Sequence, residues 1–181
     1  MDNKALCNIV RVEIETDEHE ANKYVFETAS EATYAPVNSE GAETVLRVKN
    51  TILATNKTED IQYGSDITFV DTIFMPEVFA LVDGGTLKGS KGNYTGYDAP
   101  VVGSAVSRKK FKLNIYTEEK DTDGETLGYV KFGFKGCKGT PATFNFKDGE
   151  FLAPSYTISS RPPKGQAPYS IDFLSQLPEI S

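Results

Sequence analysis

The sequence predicts a mainly β protein: an antiparallel β-sandwich or barrel, one short α-helix packed on it, and long assembly loops. Three observations carry this reading. Apolar and polar residues alternate with period two in segment after segment, as half-buried strands require. Asp148-Gly149 sits between two such segments, and Asp-Gly supplies the positive φ of a tight hairpin turn. One stretch carries helix punctuation, with Pro76 at its start and Gly84-Gly85 just past its end.

The elements follow in order. Over 7–15, Ile9, Arg11, Glu13 and Glu15 share one face and Val10, Val12 and Ile14 the other. Residues 23–27 form a short β-prone run. Over 44–54, Leu46, Val48, Ile52 and Ala54 fall on one face. A strand around Ile67 and Phe69 precedes the helix. Residues 110–116 place Phe111, Leu113 and Ile115 opposite three polar residues, and 127–135 place Val130, Phe132 and Phe134 opposite Tyr129 and Lys131. Residues 143–146 and 150–159 read as a hairpin turning at Lys147-Asp148-Gly149. A last strand over 168–173 brings Tyr169, Ile171 and Phe173 to one face. This makes about eight strands. The helix carries Val78, Phe79, Leu81 and Val82, about two apolar residues per turn, enough to plug an open end or edge of a sandwich.

Two segments fall outside this pattern, 29–42 (ASEATYAPVNSEGA) and 86–108 (TLKGSKGNYTGYDAPVVGSAVSR). Irregular loops beyond about 12–15 residues are uncommon unless functional or disordered. Both hold apolar and aromatic residues, so Tyr34, Val37, Tyr94, Tyr97, Val101 and Val102 are candidate contacts with a partner. The alternative is a loop folded back over its own domain.

The chain has 181 residues, which suits a single domain over 1–181 with a core of its own. Its net charge of −7 opposes nucleic-acid binding through a basic patch. The acidic run Glu13, Glu15, Asp17, Glu18 and Glu20 suits a solvated face. No apolar run approaches the ~18 residues of a membrane span, and the N-terminal residues lack a signal-peptide pattern. The expectation is a chain without a membrane partner that stays in the cytosol where it is made, unless an assembly carries it out. Cys7 and Cys137 form no metal-ligand spacing. Both suit small buried hydrophobes, and a disulfide between them stays open.

Chemistry is sparse. His19, the only histidine, lies in an acidic stretch without an orienting partner, which suits a surface residue. Gly84 to Lys91 lacks the adjacent Gly-Lys of a phosphate loop. Asp121-Thr122-Asp123-Gly124-Glu125 has its glycine misplaced for a calcium loop and suits a hairpin turn. Asn56-Lys57-Thr58 and Asn93-Tyr94-Thr95 are glycosylation sequons, relevant only in a secretory pathway. The expectation is no enzyme, no cofactor and no metal site.

Residues 55–85, TNKTEDIQYGSDITFVDTIFMPEVFALVDGG, resemble the tail tube (major tail) proteins of bacteriophages. There a strand ending in a phrase like Asp-Ile-Thr-Phe leads through a Pro-Glu-Val helix to Gly-Gly. Residues 156–178, YTISSRPPKGQAPYSIDFLSQLP, are similar to the Arg-Pro-Pro-Lys-Gly and Pro-Tyr ending of the same family. The resemblance implies a structural subunit of a phage or phage-like tail tube. Its strands would join those of neighbours in hexameric rings, stacked into a hollow conduit for DNA delivery. The implied partners are other copies of itself, a tape-measure protein inside the tube, tail-tip or baseplate and terminator proteins, and double-stranded DNA passing without specific binding. The implied location is the virion tail, with assembly in the host cytoplasm. Carboxylates lining the lumen would hold the duplex off the wall. Glu13 and Glu15 are the first candidates, although Arg11 shares their face. The competing reading is a β-sandwich adhesin or carbohydrate-binding module, which the absence of tryptophan weakens.

Overall fold

The computed structural model describes residues 4–18 and 22–180. Within them are twelve strands and one helix. In chain order these are β1 (Ala5–Thr16), β2 (Lys23–Phe26), β3 (Ala29–Ser39), β4 (Glu43–Val48), β5 (Thr51–Lys57), β6 (Ile61–Asp71), α1 (Pro76–Asp83), β7 (Thr86–Ser90) and β8 (Asn93–Asp98). They continue with β9 (Phe111–Lys120), β10 (Thr126–Gly139), β11 (Ser155–Ser160) and β12 (Ser170–Leu174).

Eight strands form one antiparallel sheet in the order β2-β1-β9-β10-β11-β6-β3, with β12 on β10 as well. The sheet bends at β10. Its first part pairs with β12, from Tyr129↔Leu174 to Gly133↔Ser170. Its last residues pair with β11, from Cys137↔Ser160 to Gly139↔Ile158. Between them the register against β9 shifts from Phe134 to Cys137, and Gly136 takes φ 62. A bulge with a left-handed glycine sharpens the local bend. The two halves therefore turn their apolar faces toward each other. Val12, Ile14, Phe111 and Leu113 from one half meet Ile67, Phe69, Tyr156 and Ile158 from the other in a single core. Of the two architectures expected, this is the sandwich, and it is open: β2 and β3 end the sheet without pairing to each other.

The helix closes one end of this core. Pro76 occupies its first turn and Gly84 ends it at φ 88, a left-handed cap. Val78, Phe79 and Val82 are buried, whereas Leu81 is only half-buried at the margin. Gly139 of β10 lies so close to the Val82 backbone that a Cβ there would collide with it. That close approach seats the helix on β10, and Phe79 meets Tyr156 of β11 edge-on at 6.4 Å.

Several elements differ from the sequence reading. Residues 29–42 are mostly strand β3, paired with β6 along its length. As an edge strand exposed on much of its surface, it shows little hydrophobic alternation, and it tolerates Pro36. The single strand read over 44–54 is two strands folded back at Lys49-Asn50, where Lys49 takes φ 52. Residues 86–98 form the hairpin β7–β8, turning at Lys91-Gly92 with Gly92 at φ 82. The hairpin read over 143–159 reduces to one bridge, Thr143↔Ser155. The turn at Lys147–Glu150 is present, but regular pairing begins only at Ser155. Asp121–Glu125 is the β9–β10 turn, with the Asp121 carboxylate accepting from the Asp123 and Glu125 amides. Both cysteines are free; Cys137 is buried but Cys7 is exposed, against the expectation that both are buried. Among the described residues, no helix is long and apolar enough to cross a membrane.

Candidate assembly interface

The most unusual surface is an arm. The β3–β6 pair runs from Ala29↔Asp71 to Ser39↔Ile61, and the chain then continues outward as β4–β5. The junction is held by hydrogen bonds from the Gly41 amide to Asp60 (2.8 Å) and from the Ala42 amide to the Thr58 hydroxyl (2.8 Å). The Thr58 amide returns one to the Ala42 carbonyl at 3.0 Å. Gly41 is required there, because a Cβ would collide with the Thr58 carbonyl. Every residue from 42 to 63 is exposed. Among them are Val45, Leu46, Val48, Ile52 and Leu53, with Ile52 at 64%. Scattered apolar residues are normal on a surface, but a clustered run marks an interaction site.

A second apolar surface lies at the opposite end of β6. Phe74 follows that strand, and its ring packs 5.1 Å from Phe79 of the helix. Phe79 also meets Phe144 at 6.0 Å, and Phe144 meets Phe146 at 5.3 Å. The rings spread outward from the core into solvent: Phe144 and Phe146 are exposed, and Phe151 is 100% exposed. Ile73 is exposed as well.

The contact residues expected from the sequence divide into two groups. Val101 and Val102 project from the irregular segment after β8, with Val102 98% exposed. Tyr34 sits on β3, stacked on Phe134 at 5.9 Å and edge-on to Tyr169 at 5.4 Å, with its hydroxyl accepting from Gln62. It borders an apolar groove of about 320 Å³ between the sheet halves, lined in part by Ile9, Ile115, Phe132 and Ile171. Val37 is half-buried opposite Gly64.

Tyr94 and Tyr97, by contrast, turn inward onto their own helix. Tyr94 donates to Glu77 at 2.6 Å, and that hydrogen bond, with burial, pushes its phenol up to about 12. Tyr97 donates to the Asp83 carboxylate and accepts from the Gly85 amide at 3.0 Å. Its ring stands edge-on to Phe79 at 5.0 Å. Burial first, then the Asp83 bond, raises its pKa. Arg108 completes the clamp, donating to the Val82 and Asp83 carbonyls at the helix C-terminus. These tyrosines fasten β7–β8 to the fold and do not offer it to a partner.

The two expected lumen acids differ in setting. Glu13 is buried, accepting from Tyr116 at 3.0 Å, with Lys23 at 3.5 Å and Arg11 at 3.7 Å. Arg11 in turn donates to the Pro178 carbonyl at 2.7 Å. A carboxylate removed from water needs such partners, and one so enclosed is not available to line a channel. Glu15 is half-exposed and pairs with Lys112 at 3.4 Å. Of the acidic run, Asp17 and Glu18 are exposed, and Glu18 pairs with Lys109 at 2.6 Å. His19 lies outside the described residues. Among the described residues, no three potential metal ligands come together.

The sequence reading missed the three phenylalanines because Phe144 and Phe146 alternate as a strand would. It missed the arm because two short apolar runs were joined across a polar pair. Lys49-Asn50 between apolar runs was the available signal, since asparagine is a frequent residue of two-residue turns.

No protein-family model matches the chain, and no curated protein matches it. A solved structure with which it aligns is the cryo-EM structure of the anti-feeding prophage baseplate, six-fold symmetrised. The alignment covers 97% of this chain and 98% of that one, at 8% identity and a TM-score of 0.45.

Proposed function

We propose that the chain is the structural subunit of a phage-type tail tube, a protein whose activity is self-assembly. The observation that carries this is the arm: a hairpin exposed throughout, bearing five large aliphatic side chains. An isolated subunit gains nothing from holding such a hairpin in water, whereas an oligomer can bury it. The open sheet adds to this. β3 leaves an eleven-residue edge unpaired on one side, a liability in a monomer and a docking surface in a ring. The stretches that resemble tail tube proteins fall on elements of the main sheet and the helix, the first beginning at the end of the arm. One spans β5, β6 and α1, and the other spans β11 and β12.

In this reading, hexameric rings form by strand-edge pairing between neighbours and stack through projecting segments into a hollow conduit. The tape-measure protein occupies it during assembly, and DNA passes through it later. Tail-tip and terminator proteins close its ends. The charge of −7 per chain, repeated around a ring, disfavours adhesion of a duplex carrying about one charge per 1.7 Å. With Glu13 enclosed, the acids of such a lumen are other ones. No catalytic step is assigned. Negative-stain microscopy of the purified chain, with light scattering, tests the reading: rings or tubes are expected, and a monodisperse monomer up to high concentration would overturn it.

A further inference from the structure

The two exposed apolar surfaces have a fixed relation to each other. β6 runs from the arm to the helix over eleven residues, roughly 35 Å at about 3.3 Å per residue. The arm leaves from its Ile61 end. Phe74 follows its Asp71 end, where Ser155 pairs with Val70 and brings in the 143–154 segment. One chain thus carries two unpartnered apolar surfaces at opposite ends of one axis.

We infer that the arm of one copy seats on the Phe144–Phe146–Phe151 surface of the next. This names the partner of the arm and rests on the tail-tube reading. Three features favour a second copy as the occupant. The surfaces differ, one aliphatic and narrow, the other aromatic and backed by the helix, so they suit each other better than either suits itself. Their charges are opposed: β4–β5 carries Arg47, Lys49 and Lys57 against Glu43, while 143–152 carries Asp148 and Glu150 against Lys147. Their placement at opposite ends makes the contact head-to-tail, and a head-to-tail contact repeats indefinitely where a face-to-face one stops at a dimer. Ile52 in the arm and Phe146 and Phe151 in the socket, all well exposed in the subunit, are side chains this contact covers.

Paired single-cysteine chains test it. Cys7→Ser removes the exposed thiol, and Cys137 stays inert because burial pushes its pKa up to about 12. Thr51→Cys is then placed in one chain and Asn145→Cys in another, leaving every apolar contact intact. Oxidation of the mixture under assembly conditions should give dimers with one chain of each kind, and neither chain alone should cross-link. Phe151→Ser, at a site without packing in the subunit, should leave the melting temperature unchanged and raise the concentration needed for assembly roughly tenfold or more. Rings or tubes that form while Thr51→Cys cross-links to itself, or to nothing, would overturn this contact and leave the tail-tube reading standing. A chain that stays monomeric throughout would overturn both.

Discussion

Two hairpins lie outside the main sheet, and they are built on opposite plans. β7–β8 turns its large side chains inward. Tyr94 and Tyr97 reach acids on α1, and Tyr97 packs on Phe79. β4–β5 turns its large side chains outward and is fastened only where it leaves the body, at Gly41, Ala42 and Thr58. The difference separates a hairpin that completes its own fold from one that is incomplete until something else covers it. Aromatic content alone does not distinguish them. The inward hairpin holds the tyrosines, and the outward one holds only aliphatics.

The contrast can be broken by substitution. Phe79 joins the core to β8 and to the exposed aromatic surface. Phe79→Ala should cost about 3–5 kcal/mol, the range for deleting a buried ring, measured by urea denaturation. A loss below about 1 kcal/mol would mean the helix does not close the core. Leu81, half-buried at the margin, should cost clearly less when truncated. Tyr97→Phe leaves the buried Asp83 carboxylate short of a donor and the Gly85 amide short of an acceptor. It should cost about 1–3 kcal/mol and raise hydrogen exchange in β7–β8 before other strands.

Alkali sharpens the comparison further. Tyr94, Tyr97 and Tyr116 all have phenols raised above the ordinary value of 10.0, Tyr94 to about 12. A raised folded-state pKa means the native chain holds the proton more tightly. The stability this contributes is full below pH 10 and is lost as pH rises through the folded values. Unfolding free energy should therefore fall from pH 10 toward 12, with a smaller fall in Tyr94→Phe. The arm has no tyrosine between Glu43 and Lys57, so its local exchange should not follow that titration. The smallest effect belongs to the arm itself. Leu46→Ser with Ile52→Ser should shift subunit stability by no more than about 0.5 kcal/mol, as expected of surface changes, while abolishing pelletable assemblies. A large loss of subunit stability would mean the arm packs on its own body.

The legible parts of the fold were those where one face of a strand is buried. Phe111, Leu113 and Ile115 announced β9, and Pro76 with Gly84 bounded the helix to within a residue. The illegible parts were the edges. β3 faces solvent along most of its length, so nothing imposed an apolar alternation on it. In the arm, both strands are exposed on both faces, and two alternations ran together as one. The site residues followed the same rule. Glu13 looked like a solvated acid because sequence does not reveal that Arg11, Lys23 and Tyr116 enclose it. Tyr94 and Tyr97 looked free because their partners, Glu77 and Asp83, belong to the preceding helix.

The enclosed ion cluster on β1 has a consequence for synthesis. Arg11 is made well before its partner, because the carbonyl it donates to belongs to Pro178, 167 positions later. β1 also waits for β9 as its sheet neighbour. Until residues 170–178 have been made, Arg11 and Glu13 lack part of their covering and β10 lacks β12 along its edge. The sheet is thereby closed around its ion cluster last, by the strand made last of those that cover it, so long-range pairing here comes late in folding.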